Sequence, residues 1–393
     1  MRSIKLLEKR SDAVIVGVDG RTYSLLPHTF SALSNDENNP LFCVSVANNS
    51  FSVDPWRGCP LDCAYCHVQG CYADLRNWTN CYTPRRRSRF SDEEIVEALI
   101  QHKWFIPHKS IISIGTSSTE PFLEHNLINS TLTIMKAFSD RGFRNPFWIV
   151  TKVGFPGEQY KEQFREILAR GNPIIVSICW SNNPTNIERY NGNRFRNLTL
   201  AKELGIKLNW YMRPLCEEWN TSDKNLKYIF DTVISYAPYI DNIAPGGLRW
   251  TSGVEFGIWA VHGQPMPKLT KEDNVKTLSD DSIFKIRKLC TDTFLNKPVF
   301  FKSSCALSNL LNIPNFNLID LFKPDCCAIS NCPEKQRELC SGRKISPTNA
   351  TIKQCLELGF RVEEIEGTLK IEKLRQTTYQ EDEIVCKILS FSE

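Results

Sequence analysis

The sequence lacks any hydrophobic run long enough to span a membrane, because charged residues, 23% of the chain, interrupt its apolar stretches throughout. A membrane-spanning helix needs about 20 consecutive, mostly apolar residues. The first residues, MRSIKLLEKRSDAVIV, also lack the apolar core and the small-residue cleavage site of a secretory signal peptide. The sequence therefore predicts a cytoplasmic protein with no membrane partner.

The net charge is also small, since 48 basic and 44 acidic residues leave a formal charge of only +4. So small a value does not by itself indicate a protein that binds nucleic acid. Cysteine, in contrast, is abundant, with 16 residues in 393. Because no export signal accompanies them, reduced thiols and metal ligands are favoured over disulfides. The length allows one large domain with smaller additions.

Three of the cysteines lie within eight residues and form a motif. Cys59, Cys63 and Cys66 have the spacing C-x3-C-x2-C, and Tyr65 directly precedes the last of them. Thiolates this close on a loop can bind three irons of a [4Fe–4S] cluster and leave the fourth iron open. Zinc usually takes paired C-x2-C or C-x4-C motifs with distant partners, so a zinc site or three buried core thiols is the alternative.

The motif C-x3-C-x-aromatic-C resembles the signature of the radical S-adenosylmethionine (radical SAM) superfamily. The preceding Arg57-Gly58 and its surroundings resemble the subgroup that contains spore photoproduct lyase and DNA-repair-photolyase-like proteins, over about residues 51–215. The resemblance implies that SAM binds the open iron and is cleaved by one electron to a 5′-deoxyadenosyl radical, which abstracts hydrogen from a substrate. It also implies an electron donor such as flavodoxin or ferredoxin. The cofactors would supply this chemistry, and the protein would position them.

The middle of the chain, residues 51–260, alternates short apolar runs with helical patterns, as a parallel α/β sheet requires. A capping box at Ser91 and Glu94 predicts the start of the first helix. After a first strand that leads into the cysteine loop, strands are predicted at residues 110–115, 147–152, 173–179, 206–212 and 239–244. Six such units fit the partial (βα)6 TIM-type barrel that the resemblance implies, with its site at the carboxyl ends of the strands.

Three further segments surround this predicted barrel. Residues 1–50 predict a β-rich lead-in with a hairpin that turns at Asp19-Gly20. Residues 261–345 form a Cys-rich extension that could hold an auxiliary metal site, and residues 346–393 predict a small α/β cap with a hairpin at Glu366-Gly367.

The resemblance also indicates residues that contact the cofactor, most of them at predicted strand ends. Lys152 would meet the SAM carboxylate, which matches an ammonium with a carboxylate. A hydroxyl at such a position can equally cap a turn or a helix. His67 would contact the adenine. The full predicted set is Tyr65, His67, Ser118, Glu120, Lys152 and Ser177.

A second group of cysteines follows residue 300. The preferred ligands are Cys305, one of the adjacent Cys326 and Cys327, Cys332 and Cys340. They could hold a second iron–sulfur cluster or a zinc ion. Ordinary buried or free thiols are the alternative, because the spacing matches no strict motif.

A basic run lies between the cysteine loop and the first helix, at Arg85, Arg86, Arg87 and Arg89. It could steer an anionic substrate or a nucleic-acid backbone, or it could be a solvated loop, since Asp92, Glu93 and Glu94 follow. The sequence favours a small-molecule or peptide substrate over nucleic acid.

Two other functions stay open at this point. One is nucleic-acid lesion repair of the spore photoproduct lyase type, although that enzyme uses a cysteine at the end of the second strand and the segment GTSSTE (residues 115–120) has none. The other is a non-catalytic iron–sulfur sensor. SAM turnover distinguishes the enzyme from the sensor.

Overall fold

A seven-stranded, mostly parallel sheet organises the protein. The structure is a computed structural model and describes residues 5–6, 13–16, 22–25, 32–47, 50–66, 83–116, 118–249, 254, 256–261, 263–264, 276–318, 327, 330–365 and 368–391. The strands of the large sheet are β4 (Val44–Ala47), β5 (Ser50–Val53), β8 (Ile112–Ile114), β9 (Phe147–Thr151), β10 (Ile174–Cys179), β11 (Lys207–Tyr211) and β12 (Asn242–Ile243).

Outside this sheet, the described part of the chain contains nine further strands. They are β1 (Lys5–Leu6), β2 (Ala13–Val16), β3 (Thr22–Leu25), β6 (Trp56–Arg57), β7 (Arg85–Arg86), β13 (Leu248–Arg249), β14 (Lys276–Thr277), β15 (Phe360–Ile365) and β16 (Thr368–Lys373). The β2–β3 and β15–β16 hairpins confirm the two that the sequence predicts.

The described helices alternate with the strands and then dominate the C-terminal part. They are α1 (Asp92–Ile100), α2 (His125–Asp140), α3 (Lys161–Ala169), α4 (Leu198–Glu203), α5 (Asp223–Val233), α6 (Asp280–Thr293), α7 (Ser303–Leu311), α8 (Glu334–Ser341), α9 (Asn349–Glu357) and α10 (Tyr379–Phe391). Short 3-10 turns occur at Pro40–Cys43, Glu158–Tyr160 and Ile234–Tyr236, and a π-helical turn at Phe256–Val261. No helix in the described part of the chain is long and apolar enough to cross a bilayer.

The six parallel strands follow the chain order along the sheet, β12-β11-β10-β9-β8-β5, and antiparallel β4 completes the β5 edge. This arrangement confirms an α/β fold. The sheet forms an open row, and the two edges do not pair with each other within the described ranges. β4 lies in the segment predicted as a lead-in, so that segment contributes an edge strand to the main sheet.

The two faces of the sheet bury different layers. Along β10, Ile174, Val176 and Ile178 point into the large core that also contains side chains of α1, α2 and α3. The alternate residue Ile175 joins Trp148 and the α7 residue Leu307 in a separate cluster. The helices that follow the first strands therefore belong to one layer, to which α6, α9 and α10 also contribute, and α7 covers the other face.

Local sequence explains how the first of these helices begins. The Ser91 hydroxyl accepts from the Glu94 backbone N–H, and the Glu94 carboxylate accepts from the Ser91 N–H at 2.7 Å, so the predicted capping box is present. Three acidic residues lie in the first turn, where their negative charges interact favourably with the positive end of the helix dipole. The helix buries Ile95, Val96 and Leu99 against the sheet.

The opposite edge of the sheet is extended by a short segment around Val299. Ile243 of β12 forms a parallel bridge with Val299, and the Phe300 N–H donates to the Ile243 carbonyl at 2.9 Å. This segment runs in the same direction as the parallel strands and leads directly into α7. The start of α7 therefore lies at the carboxyl edge of the sheet, where the loops after β9, β10 and β11 also lie.

Candidate functional site

The cysteine loop begins just after β5 and is fixed by contacts at both ends. β6 pairs with β7, and the Gly58 carbonyl accepts from the Thr119 hydroxyl at 2.5 Å. Gly58 has a φ of 89°, in the left-handed region that glycine adopts without strain. Further along, the Ala64 N–H donates to the Ile187 carbonyl at 2.8 Å. The loop is therefore held between the turn after β8 and the loop after β10.

The three motif thiols are close enough to influence one another. Burial raises the pKa of the Cys59 thiol to about 12, and the negative charge of Cys66 adds to the effect. Burial also raises the pKa of Cys63 well above its ordinary value, while Lys152 opposes the rise. As these side chains stand, no group of three or more His, Cys, Asp or Glu in the described ranges is arranged to hold a metal ion.

The chemistry of this donor set nevertheless fits an iron–sulfur cluster. Cys59, Cys63 and Cys66 are three sulfur donors on one short, largely buried loop. The raised pKa values of Cys59 and Cys63 mean that a positive centre must be present for these two thiols to ionise. Soft thiolates on one loop are the ligands that iron–sulfur clusters use.

A network of buried charges joins the cysteine motif to the ends of two strands. Lys152, directly after β9, donates to the Tyr65 hydroxyl and lies 3.0 Å from Glu188 Oε1. The Tyr65 hydroxyl in turn donates to Glu188 Oε2, which also accepts from Asn183 at 2.8 Å. The Arg194 guanidinium pairs with the same carboxylate. The predicted residues Tyr65 and Lys152 are thus in direct contact.

In this network the Glu188 carboxylate forms ion pairs with two cations, Lys152 and Arg194. The side chains of Lys152 and Glu188 are 16% and 4% exposed. Burial alone would raise the pKa of Glu188, but Lys152 and Arg194 hold it down to about 2. Burial acts to lower the pKa of Lys152, and negative charge on Cys179 and Glu188 raises it above its ordinary value. Lys152 and Arg194 are therefore charged at neutral pH, with Glu188 as their shared anion.

Glu120 positions the backbone at the start of this network. Its carboxylate accepts from the Thr151 hydroxyl at 2.6 Å and from the Lys152 N–H at 2.8 Å. Burial raises the pKa of Glu120, although these hydrogen bonds oppose the rise. The Ser118 hydroxyl donates to Asp54 at 2.9 Å. Both residues join the turn after β8 to its neighbours, and their contact with a cofactor stays a prediction.

Ser177 lies inside the sheet, away from this network. It is fully buried and accepts from the Trp148 indole N–H at 2.9 Å, on the face that α7 covers. Cys179, the last residue of β10, is closer to the edge and donates to the Arg213 carbonyl at 3.2 Å. A cofactor role for Ser177 stays a prediction, and His67 lies outside the described residues.

The second group of cysteines is brought together around Asn315. Its side-chain amide contacts the Cys305 sulfur at 3.3 Å, and its backbone N–H donates to the Cys340 sulfur at 3.4 Å. Burial raises the pKa of Cys332 to about 11, and Cys340 and Cys327 add to the rise. Cys305 and Cys340 therefore share one neighbour, and Cys327 and Cys332 lie within electrostatic reach of Cys340, although these side chains as they stand do not form a metal-binding group. Cys326 lies outside the described residues.

Three arginines of the basic run make local contacts. Arg86 pairs with Asp92 at 2.5 Å, its guanidinium carbon lying 5.5 Å from the Trp56 ring centre. Arg87 and Arg89 lie over the rings of Phe42 and Phe90, at 4.5 and 5.3 Å. These contacts favour the structural interpretation of the run over the steering one.

Sequence reasoning missed two charged members of the network, Glu188 and Arg194. Both follow β10 in a segment without a helical or strand pattern, and a charged residue in such a loop is usually solvated. The available signal was their position, since loops after parallel strands meet at the carboxyl edge of the sheet.

A scan against models of known protein families finds no match, and no curated protein sequence is significantly similar to the chain. Among solved structures, the chain is similar to SuiB of Streptococcus suis, determined with bound S-adenosylmethionine, at 15% identity and a TM-score of 0.34. The match covers 62% of this chain and 47%, about half, of SuiB. A likeness at this level assigns neither a family nor an activity to the chain.

Proposed function

We propose that the chain is a radical SAM enzyme of the kind that its cysteine motif resembles. The observation that carries the proposal is the contact between the aromatic residue inside the motif, Tyr65, and the Lys152–Glu188 pair. This contact makes the cysteine loop and the carboxyl edge of the sheet one site. When bound, a [4Fe–4S] cluster held by Cys59, Cys63 and Cys66 supplies, with SAM, the one-electron chemistry that abstracts hydrogen from a small organic substrate.

The chain's own residues would bind and orient SAM at this edge. Lys152 is charged and would donate a charge-assisted hydrogen bond to the methionine carboxylate. Glu188 and Tyr65 hold its ammonium in place, and Glu120 fixes its backbone. Because these partners are largely buried, the lysine is positioned before any ligand arrives.

We also propose that the sheet is curled into a partial (βα)6 barrel. Two observations support the curl: the six parallel strands lie in chain order, and the helices between them cover one face. Right-handed βα crossovers in this order build barrels, whose sites lie at the carboxyl ends of the strands.

The second cysteine group is proposed to hold a metal as well. Support comes from Asn315, which contacts Cys305 and Cys340, and from the mutual influence of Cys327, Cys332 and Cys340. Thiolate ligands suit either an iron–sulfur cluster or zinc.

The contacts of the arginine run help to indicate the class of substrate. Because Arg86 is paired with Asp92 and its neighbours lie over rings, the run offers little free charge for a nucleic-acid backbone. We therefore propose a small organic substrate rather than DNA or RNA.

The proposal is tested by anaerobic reconstitution followed by iron analysis and an assay for 5′-deoxyadenosine. We expect about four irons for the first site and about eight if the second group holds a cubane cluster. Replacing Cys59, Cys63 and Cys66 together by Ala should remove the first four irons and all SAM cleavage. The matched control Cys290→Ala, a buried cysteine outside both groups, should retain both.

Three results would contradict parts of this scheme. A triple variant that loses no iron rules out the first site. Zinc in the second group, with about four irons in the parent protein, rules out a second cluster. A protein that binds iron but never cleaves SAM is a sensor and not an enzyme.

A further inference from the structure

A second buried cation lies at the carboxyl edge of the sheet, outside the Lys152 network. Arg213 follows β11 and is 8% exposed. No carboxylate in the described part of the chain lies within ion-pair distance of its guanidinium. Burying a charge without a counter-ion is costly, so such a residue indicates an anion that binds there.

The guanidinium is held by neutral groups that leave its charge uncompensated. Its Nε and Nη2 donate to the carbonyls of Ala244 and Pro245 at 3.2 and 3.3 Å. Its Nη1 donates to the Tyr211 hydroxyl at 2.8 Å and to the Ser303 hydroxyl at 2.9 Å. A guanidinium has five N–H donors, and these four bonds leave one of them available.

The start of α7 adds further positive potential at the same place. Ser303 is the first residue of this nine-residue helix, and no side chain caps the helix start. The N-cap residue is Lys302, a cation where an acidic or hydroxyl side chain is preferred. Within the described ranges, Lys302 forms no ion pair either. The Arg213 guanidinium thus contacts the first residue of α7, and Lys302 and the helix dipole add positive charge at this end of the helix.

Backbone geometry keeps the arginine in this position. A methyl group on Gly246 would lie 2.5 Å from Arg213 Nε and 2.9 Å from its guanidinium carbon. Glycine therefore leaves the space through which the side chain passes. On its other side, the guanidinium carbon lies 4.2 Å from the Tyr211 ring centre. These contacts hold the planar guanidinium in one position, and its remaining N–H can donate to a carboxylate or a phosphate.

The position also connects the two proposed cofactor regions. Cys179 donates to the Arg213 carbonyl, and the charges of Lys152 and Glu188 act on the same thiol. From the other direction, α7 carries Cys305 of the second cysteine group two residues after Ser303. A group bound at Arg213 would lie between the SAM network and these cysteines.

We infer that Arg213, with Ser303 and the start of α7, binds an oxyanion of the substrate, a carboxylate or a phosphate. As a statement about a substrate, the inference rests on the proposed function. It narrows the substrate class to small organic anions and moves the anion-binding role from the Arg85–Arg89 run to this edge.

The test measures anion binding to the full-length protein by calorimetry, with phosphate and acetate as separate probes at matched ionic strength and chloride as the reference. We expect the wild type to bind one of the two probes, and the stronger probe indicates the substrate group. Arg213→Gln should weaken that binding about ten- to a hundred-fold. The exposed Arg196→Gln is the matched control and should bind as the wild type does.

Lys302→Gln provides a second test in case the Arg213 variant does not fold. Lys302 is only half-buried at the helix start, so its replacement should leave the fold intact. It should weaken binding several-fold. The inference is overturned if the wild type prefers neither probe over chloride, or if a folded Arg213→Gln binds normally. If Arg213→Gln does not fold, normal binding by Lys302→Gln overturns it.

Saturating SAM separates a substrate subsite from a cofactor subsite. We expect SAM to leave anion affinity unchanged, and competition between the two would overturn the substrate assignment. Failure here is distinct from failure of the proposed function. A protein that holds iron and cleaves SAM while its anion affinity ignores Arg213 refutes only this inference, whereas Arg213-dependent binding without iron refutes the radical SAM proposal.

Discussion

Replacing Glu188 by Gln is the sharpest perturbation of the candidate site. The substitution keeps the size of the side chain but removes the one carboxylate that lies between Lys152 and Arg194. Both cations are largely buried, so neither can recover full hydration in the variant. The expected result is a large loss of stability without a change of fold.

The magnitude follows from the pKa of this carboxyl group. Its lowering from 4.5 to about 2 corresponds to roughly 3 kcal/mol, since each pKa unit is about 1.4 kcal/mol. Breaking a buried ion pair by removing one partner costs about 3–5 kcal/mol in other proteins, because the remaining charge is left uncompensated. The two estimates agree, so we expect Glu188→Gln to lower the free energy of unfolding by about 3 kcal/mol at pH 7.

The sign of the pH dependence gives a second, independent signature. A carboxyl whose pKa is lower in the folded state stabilises the protein above its unfolded pKa, and this stabilisation is lost as pH falls towards the folded pKa. For Glu188 the loss should therefore develop between about pH 4.5 and pH 2. The difference in stability between wild type and variant should shrink over that interval.

Urea denaturation at pH 7 and at several acidic pH values measures both effects. The matched control is Glu162→Gln, because Glu162 is 72% exposed in its pair with Arg165 and should contribute little. A Glu188→Gln variant within about 0.5 kcal/mol of wild type, with the same acid dependence, would refute the buried network.

Three further outcomes are expected. Lys152→Ala should weaken SAM binding about ten- to a hundred-fold in calorimetry with an intact cluster spectrum, because a charge-assisted hydrogen bond contributes about 1.5–3 kcal/mol; unchanged affinity would make the lysine structural. Ser91→Ala should lower the free energy of unfolding by about 1 kcal/mol in urea titrations through loss of the α1 cap, with Ser88→Ala as control; no loss would mean that the cap does not stabilise the helix. DNA binding in a salt titration should be weak and insensitive to serine replacement of the arginine run; sub-micromolar binding lost in that variant would revive the repair function.

Helices, strands and hairpins that are determined by residues close to one another in the sequence can be predicted from the sequence. The capping box uses Ser91 and Glu94, three residues apart, and it starts a helix where predicted. The β15–β16 hairpin and the parallel strands β9, β10 and β11 occur within one or two residues of their predicted positions. Apolar runs and cap residues specify such elements locally, so one sequence is enough to place them.

Contacts between residues that are far apart in the sequence cannot be predicted in the same way. Tyr65 and Glu188 are 123 residues apart, and Lys152 is 36 residues from Glu188. Nothing in the loop after β10 indicates which strand end it will face. The family resemblance assigns Lys152 to the SAM carboxylate, and an ionised lysine at the end of an apolar strand also needs a partner in the protein. The identity of that partner came only from the fold.

Charge balance at the carboxyl edge connects the network to ligand binding. Lys152, Arg194 and Arg213 are buried cations, and Glu188 supplies the only negative charge that pairs with them in the described part of the chain. The surplus is costly in a site without ligands, because each unmatched charge has lost hydration. It becomes favourable when anionic groups bind, and the proposed ligands carry such groups: a methionine carboxylate and a substrate oxyanion. A second carboxylate beside Lys152 would stabilise the free protein but compete with each of these. The single shared carboxylate of Glu188 therefore holds both cations in position while leaving net positive charge for the ligands.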